Sequence, residues 1–239
     1  MTYSNIGKVY ESWGKHEEAL ASLRKCLAIS MVVRHPISIV GRPDAIAVVR
    51  PRDLCGGAPL AVPDVPTLFS RMAFHLETLG RYPEALELFD KSLAIFGPDN
   101  ENATDVRAGM AVVCYRLGKF DEALALHTTN LAIYTTVPGG AQAEGNTYHN
   151  MAVIYCAQSK YEKALELYHK FLEIETKVLG GGDHPHVAGG YSNIADVYTK
   201  QGRRAEALEV YNKSLAIMVK LYGEDHPVYP KPQPLNPKP

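Results

Sequence analysis

Apolar residues return along the chain at helical spacing, in pairs of segments separated by a tight break. Tyr191, Ile194, Ala195 and Tyr198 fall at i, i+3, i+4 and i+7, one stripe of a helix. Gly202-Arg203 interrupts the pattern, and Glu206-Ala207-Leu208 opens a second helical run. The same order stands at Tyr3 to Tyr10, Gly14-Lys15 and Glu18-Ala19-Leu20, and three further copies are anchored at Gly80, Gly118 and Ser159. Glycine suits the break because it takes the left-handed backbone that closes a helix without steric cost. The second run of the fourth copy carries two apolar stripes, Leu165, Tyr168, Leu172 and Leu167, Phe171, Ile174, Val178. A helix apolar on two adjoining faces is covered twice, by its own partner and by the next unit. Small residues recur at one register: Gly7, Ala73, Ala111, Ala152 and Ala195 in the first helices, Ala19, Ala85, Ala123, Ala164 and Ala207 in the second. Close helix crossings are predicted there.

A unit this small cannot bury its own apolar face, so the five copies must stack. The prediction is an all-α solenoid of five helix-turn-helix units, whose product is a long surface rather than a pocket. Gly80, Gly118, Ser159 and Gly202 follow one another at 38, 41 and 43 residues, whereas 66 separate Gly14 from Gly80. The surplus lies in residues 33–66, where Pro36, Pro43, Pro51, Pro59, Pro63 and Pro66 accompany Gly41, Gly56 and Gly57. Proline at that density excludes a helix interior, and the segment reads as an irregular insertion after the first unit. Ile37 to Val49 has the makings of a small hairpin, marginal by itself. The units are placed at 1–32, 67–97, 104–137, 145–180 and 187–222, with a proline-rich tail of polyproline type at 223–239.

Charge removes some partners from consideration. The 239 residues carry 25 Lys and Arg against 26 Asp and Glu, a net charge of −1, so no basic surplus points to nucleic acid or to an anionic membrane. Met1 to Tyr10 lacks the cationic and apolar blocks of a signal peptide, and no apolar run is long enough to span a bilayer. Cys26, Cys55, Cys114 and Cys156 show no close pairing and read as reduced thiols in a cytoplasmic protein.

Reactive chemistry is sparse. His184-Pro185-His186 beside Asp183 is the nearest thing to a cluster, but a metal site on a helix wants histidines one turn apart. Asp183 and Pro185 make better sense as a helix start, acid at the positive end and proline in the first turn. Cys114 and Cys156 read as packing residues, and Trp13 as a cover for the end of the first helix. Pro234-Leu235-Asn236-Pro237 is a minimal Pro-x-x-Pro in a terminal tail. No catalytic, cofactor or metal residues are expected; the chain reads as non-enzymatic.

Tyr148-x2-Met151-Ala152-x2-Tyr155 with Ala164-x3-Tyr168 resembles the tetratricopeptide repeat, as do the first and fifth copies. The second copy keeps the pattern with Phe69, Met72, Ala73, Leu76, Ala85 and Phe89; the third departs from it at Arg107, Cys114 and His127. The long period and the connector Leu179, Gly180, Asp183, His184, Pro185, Val187, Ala188 are similar to the kinesin-light-chain subtype. The resemblance implies a right-handed superhelix whose first helices line a groove for a peptide or helix of a protein partner. Carried residue by residue, that groove holds Asn5, Lys8, Arg71, Phe74, Arg116, His149, Asn150, Asn193, Asp196 and Lys200. Asn5, Asn150 and Asn193 stand where the family places a groove asparagine, while Arg71 and Gly109 break the series. Lys8, Arg71, Arg116 and Lys200 favour an acidic partner, with Asp196 opposing. The family's Lys/Asn clamp for a terminal carboxylate is not assembled. The expected role is a scaffold or adaptor. The alternative is the sensing or self-associating arm of a larger signalling protein, whose flanking domains would account for the irregular ends.

Overall fold

The structure, a computed structural model, describes residues 3–34, 64–97, 100 and 102–223. The hairpin expected at Ile37 to Val49, Cys55 and the proline-rich tail lie outside these residues. Among the described residues every regular element is a helix. The chain divides into two compact units, residues 1–126 and 127–239. The first holds α1 (Tyr3–Ser12), α2 (His16–Arg34), α3 (Val65–Thr78), α4 (Tyr82–Phe96), α5 (Ala103–Arg116) and the first half of α6 (Phe120–Tyr134). The second takes the rest of α6, then α7 (Ala141–Ala157), α8 (Tyr161–Val178), α9 (Pro185–Lys200) and α10 (Arg204–Tyr222).

Each hairpin turn is built in the same way. The residue after the break donates its N–H back to a carbonyl five residues earlier: Lys15 to Tyr10 (2.8 Å), Arg81 to Leu76 (2.8 Å), Lys119 to Cys114 (2.9 Å), Lys160 to Tyr155 (2.9 Å) and Arg203 to Tyr198 (2.9 Å). This closure needs a left-handed residue before it. Gly80 and Gly202 supply φ of 74° and 76°, and Ser159 is forced to 59° with a Cβ in place.

Helix starts were only partly legible. Pro185 does open α9, but the capping residue is His184, not Asp183: His184 is extended (φ −143°, ψ 145°) and its ring Nδ1 accepts from the N–H of His186 at 3.2 Å. The reason is local, because a proline pushes the residue before it into extended backbone, the conformation a cap requires. Asp183 instead pairs with Lys220. Pro66 sits in the first turn of α3, where a missing N–H costs nothing.

All ten small residues of the repeated register are buried. In the first unit Leu20, Leu23, Leu68, Met72, Leu76 and Phe89 surround them, and Val106 and Val113 of α5 close the cluster. In the second unit α8 is an interior wall: Leu165, Leu167, Tyr168, Phe171 and Leu172 are all buried. Its second stripe stops short, because Ile174 is half-buried and Val178 exposed, and Glu175 takes the interior place. Cys26 and Cys114 are buried free thiols, and burial pushes both thiol pKa values up. Cys156 is only half-buried. Trp13 does not cover α1; it stands mostly in solvent, edge-on to Tyr10 at 6.3 Å with Lys15 against its ring.

Candidate functional site

In the first unit Asn5 and Lys8 lie exposed on α1, and Arg116 is exposed at the last turn of α5. Arg71 of α3 is turned inward. Its guanidinium donates to Ser4 Oγ at 3.0 Å and pairs with Glu11 at 3.5 Å, so it straps α3 to α1. Beside it His75 reaches Glu11 at 4.0 Å and sits 3.1 Å from His16, Nδ1 to Nδ1, so one ring must donate and the other accept. Burial is the first cause of the lowered His75 pKa; Glu11 opposes it, and His16 and Arg71 add to it. Phe74 packs edge-on to Phe89, centroids 5.1 Å apart, over Gly109. A Cβ on Gly109 would lie 2.6 Å from Phe89 and 2.8 Å from Phe74, which explains why no asparagine stands there.

In the second unit His149 and Asn150 project from α7, and Asn193, Asp196 and Lys200 from α9. The Asn193 amide donates to His149 Nε2 at 2.9 Å. That bond requires an unprotonated Nε2, which suits a ring packed on Tyr168 and Phe171 (5.6 and 5.3 Å) whose pKa is lowered chiefly by burial, against the Asn150 amide and the Glu175 carboxylate. The same strap therefore recurs in both units. The residue two before the small residue of one first helix bonds the residue three before it in the preceding first helix, Arg71 to Ser4 and Asn193 to His149. Asp196 is taken by the Tyr211 hydroxyl. Asn150 and Lys200 remain exposed.

Next to the His149–Asn193 strap is a hollow of about 280 Å³ lined by Asn146, His149, Phe171, Pro185, His186, Gly189, Gly190 and Asn193. Phe171 and Pro185 bring apolar surface to it, and Asn146 and His186 are exposed members of its lining. Glu175, fully buried, is tied to one lining residue: its carboxylate accepts from His186 Nδ1 at 3.3 Å and also from Gln142 Nε2. Asn146, Gln142, Glu175 and His186 were missed as site residues. One signal was available: eleven residues after the small alanine the second helices carry Ser30, Phe96, Tyr134 and Met218, and a carboxylate in that series is out of place. Among the described residues no group of His, Cys, Asp and Glu is arranged to hold a metal ion, and no helix is long and apolar enough to cross a membrane.

Paired antiparallel helices with a repeated closure and a repeated strap define a helical-hairpin repeat protein, in which function resides on surfaces. The chain belongs to the tetratricopeptide repeat family: the sequence profiles of that repeat match residues 2–30, 64–137, 143–218 and 186–229. Its fold is shared with kinesin-light-chain-type TPR-like repeats from Podosopora anserina (TM-score 0.69, 20% identity, 92% of this chain and 94% of that one). It is shared also with BtubC from P. vanneervenii (TM-score 0.71, 18% identity, 97% and 82%) and with MamA from Desulfovibrio magneticus RS-1 (0.60, 18%, 94% and 96%). No curated protein sequence matches the chain. Its described helices form the tetratricopeptide repeat fold, similar to that of kinesin-light-chain-type repeats, a fold that serves as a scaffold for protein partners.

Proposed function

We propose that this chain is a non-catalytic adaptor that holds a peptide or helix of a partner protein along its first helices. The observation that carries this is the hollow beside His149 and Asn193. The apolar surface of Phe171 and Pro185 takes one side chain of the bound segment, while the exposed amides of Asn146 and Asn150 can both donate to and accept from its backbone. The Asn193–His149 bond holds the site in place before binding, so less ordering entropy is lost on association. Arg71 is spent on Ser4 and Glu11; Lys8 and Arg116 in the first unit and Lys200 in the second are exposed cations on first helices, and in each unit they favour an acidic segment. Free Cys26, Cys114 and Cys156 fit a reducing, cytoplasmic setting.

Selection from phage-displayed random dodecapeptides tests this. The parent protein should enrich a shared sequence, and a variant with Asn146→Ala and Asn150→Ala should lose it by tenfold or more in anisotropy titrations while melting unchanged. Enrichment of nothing, or equal binding by the variant, would sink the proposal.

A further inference from the structure

Among the described residues Glu175 of α8 is the one buried carboxylate, at 0% exposure. It accepts from the amide of Gln142 on α7 and from Nδ1 of His186 on α9 at 3.3 Å. A carboxylate held out of water is normally matched by a cation. Among the described residues no lysine or arginine pairs with this one. α7 has neither residue, and α9 has only Lys200, fourteen positions beyond His186 and about 21 Å along the helix. On α8 Lys170 is taken by Glu166 at 3.0 Å, and Lys177 stands two positions from Glu175, round the other side of that helix. Lys220 of α10 is held by Asp183. His186 links the buried charge to the surface. Its side chain is 62% exposed, and it lines the hollow of about 280 Å³ together with Phe171, Pro185 and Asn146. Because a carboxylate only accepts, Nδ1 of His186 holds a proton, and the neutral ring keeps Nε2 as an acceptor.

We propose that the side chain taken by this hollow is basic, an arginine or lysine of the bound segment. This rests on the adaptor reading and names the chemistry of its central contact. Both side chains carry a charged, donating head on an apolar stem, and such a stem lies along apolar surface while its head stays in water. Phe171 and Pro185 offer surface to the stem, and His186 Nε2 and the Asn146 carbonyl accept from the head. Glu175 does not touch the segment. It is a positioning residue, which holds His186 in the accepting tautomer and supplies the charge that the head neutralises. The N-terminus of α9 opposes a cation with about half a positive charge, and the whole charge of the carboxylate outweighs it. Lys200 stands at the opposite end of α9, so the segment is basic at the hollow and acidic toward Lys200.

Single-residue probes test this by NMR. The Asn146 amide and the His186 ring are followed while the N-acetyl methylamides of arginine, lysine, citrulline, norleucine and glutamate are titrated into the parent. Arginine and lysine should shift both signals and bind about two- to fivefold more tightly than norleucine, the range of an exposed ion pair. Citrulline, which keeps the shape of arginine without its charge, should lose that margin, and glutamate should bind worst. Added salt should shrink the margin. Glu175→Gln removes the charge at constant shape and should erase the margin while leaving the norleucine constant in place. His186→Leu, at an exposed position, should also erase it and serves where Glu175→Gln fails to fold. Norleucine or citrulline equal to arginine in the parent, or a margin that outlives either variant, would overturn the proposal. The dodecapeptide selection separates it from the adaptor reading. A shared sequence without arginine or lysine would overturn the basic side chain and keep the adaptor. An empty selection beside a full arginine margin would overturn the adaptor and support the preference of the hollow.

Discussion

Ser70 and Ser92 meet inside the α3–α4 hairpin with their hydroxyl oxygens 2.7 Å apart, and both reach the carbonyl of Pro66, at 3.0 and 2.9 Å. The seat is a property of the repeat. The residue three before the small residue of a first helix faces the residue seven after it in the second, and in the fifth hairpin Ser192 and Ser214 sit 2.9 Å apart there, with Ser214 bonded to the carbonyl of Ala188 at 2.7 Å. In the fourth, His149 and Phe171 fill the seat with two rings. A buried hydroxyl pair holds the hairpin only while both partners are present. Ser92→Ala should therefore cost about 1–2 kcal/mol in urea unfolding. Adding Ser70→Ala should cost less than the sum of the two single changes, the signature of a coupled pair.

Gly109 and Gly189 are both helical glycines with opposite surroundings. A Cβ on Gly109 meets Phe89 and Phe74 below 3.0 Å, whereas at Gly189 it meets nothing within 4 Å. Alanine brings about 1 kcal/mol of helix propensity, while overpacking costs about 1–3 kcal/mol. Gly109→Ala should lower the melting temperature and Gly189→Ala should raise it. Like signs for the two would remove the close contact as the reason for glycine at position 109.

Ser159 occupies the left-handed place that glycine fills in the other four turns, at φ 59°. A Cβ there costs about 1–2 kcal/mol, and part of the relief is returned as glycine's greater freedom in the unfolded chain. Ser159→Gly should stabilise by up to about 1 kcal/mol, and Gly202→Ser should destabilise by a similar amount, read from thermal or urea midpoints.

His127 of α6 is buried where the other copies carry Phe89 and Tyr168, and burial pushes its imidazole down to about 4. Its folded value lies below the ordinary 6.5, so the unfolded chain binds the extra proton first. The stability associated with this group is complete above pH 6.5 and is lost as pH falls toward 4, by up to about 3 kcal/mol. His75 and His149, also lowered by burial, act in the same direction. His127→Phe should flatten the loss between pH 6.5 and 4 while leaving a remnant from the other two. A parent equally stable at both ends of that range would contradict the buried, neutral imidazole.

The repeats, their two helices, the turns at Gly80 or Ser159 and the close crossings at Ala152 and Ala164 were all determined by the sequence. Each of these is written in spacing alone: an apolar stripe needs residues three and four apart, a turn needs one left-handed residue, and a crossing needs one small side chain. The tertiary structure decided where polar side chains find partners. Asn193 and Asn150 sit in the same register, yet Asn193 is bonded to His149 from forty-four residues away and Asn150 faces solvent. Arg71 looked like a groove cation and is a strap to Ser4; Glu175 looked like one more surface acid and is buried beneath His186. Helical periodicity is a property of neighbours along the chain and can be counted; a hydrogen bond, or the cover over a face, depends on distances between helices that only the folded packing sets.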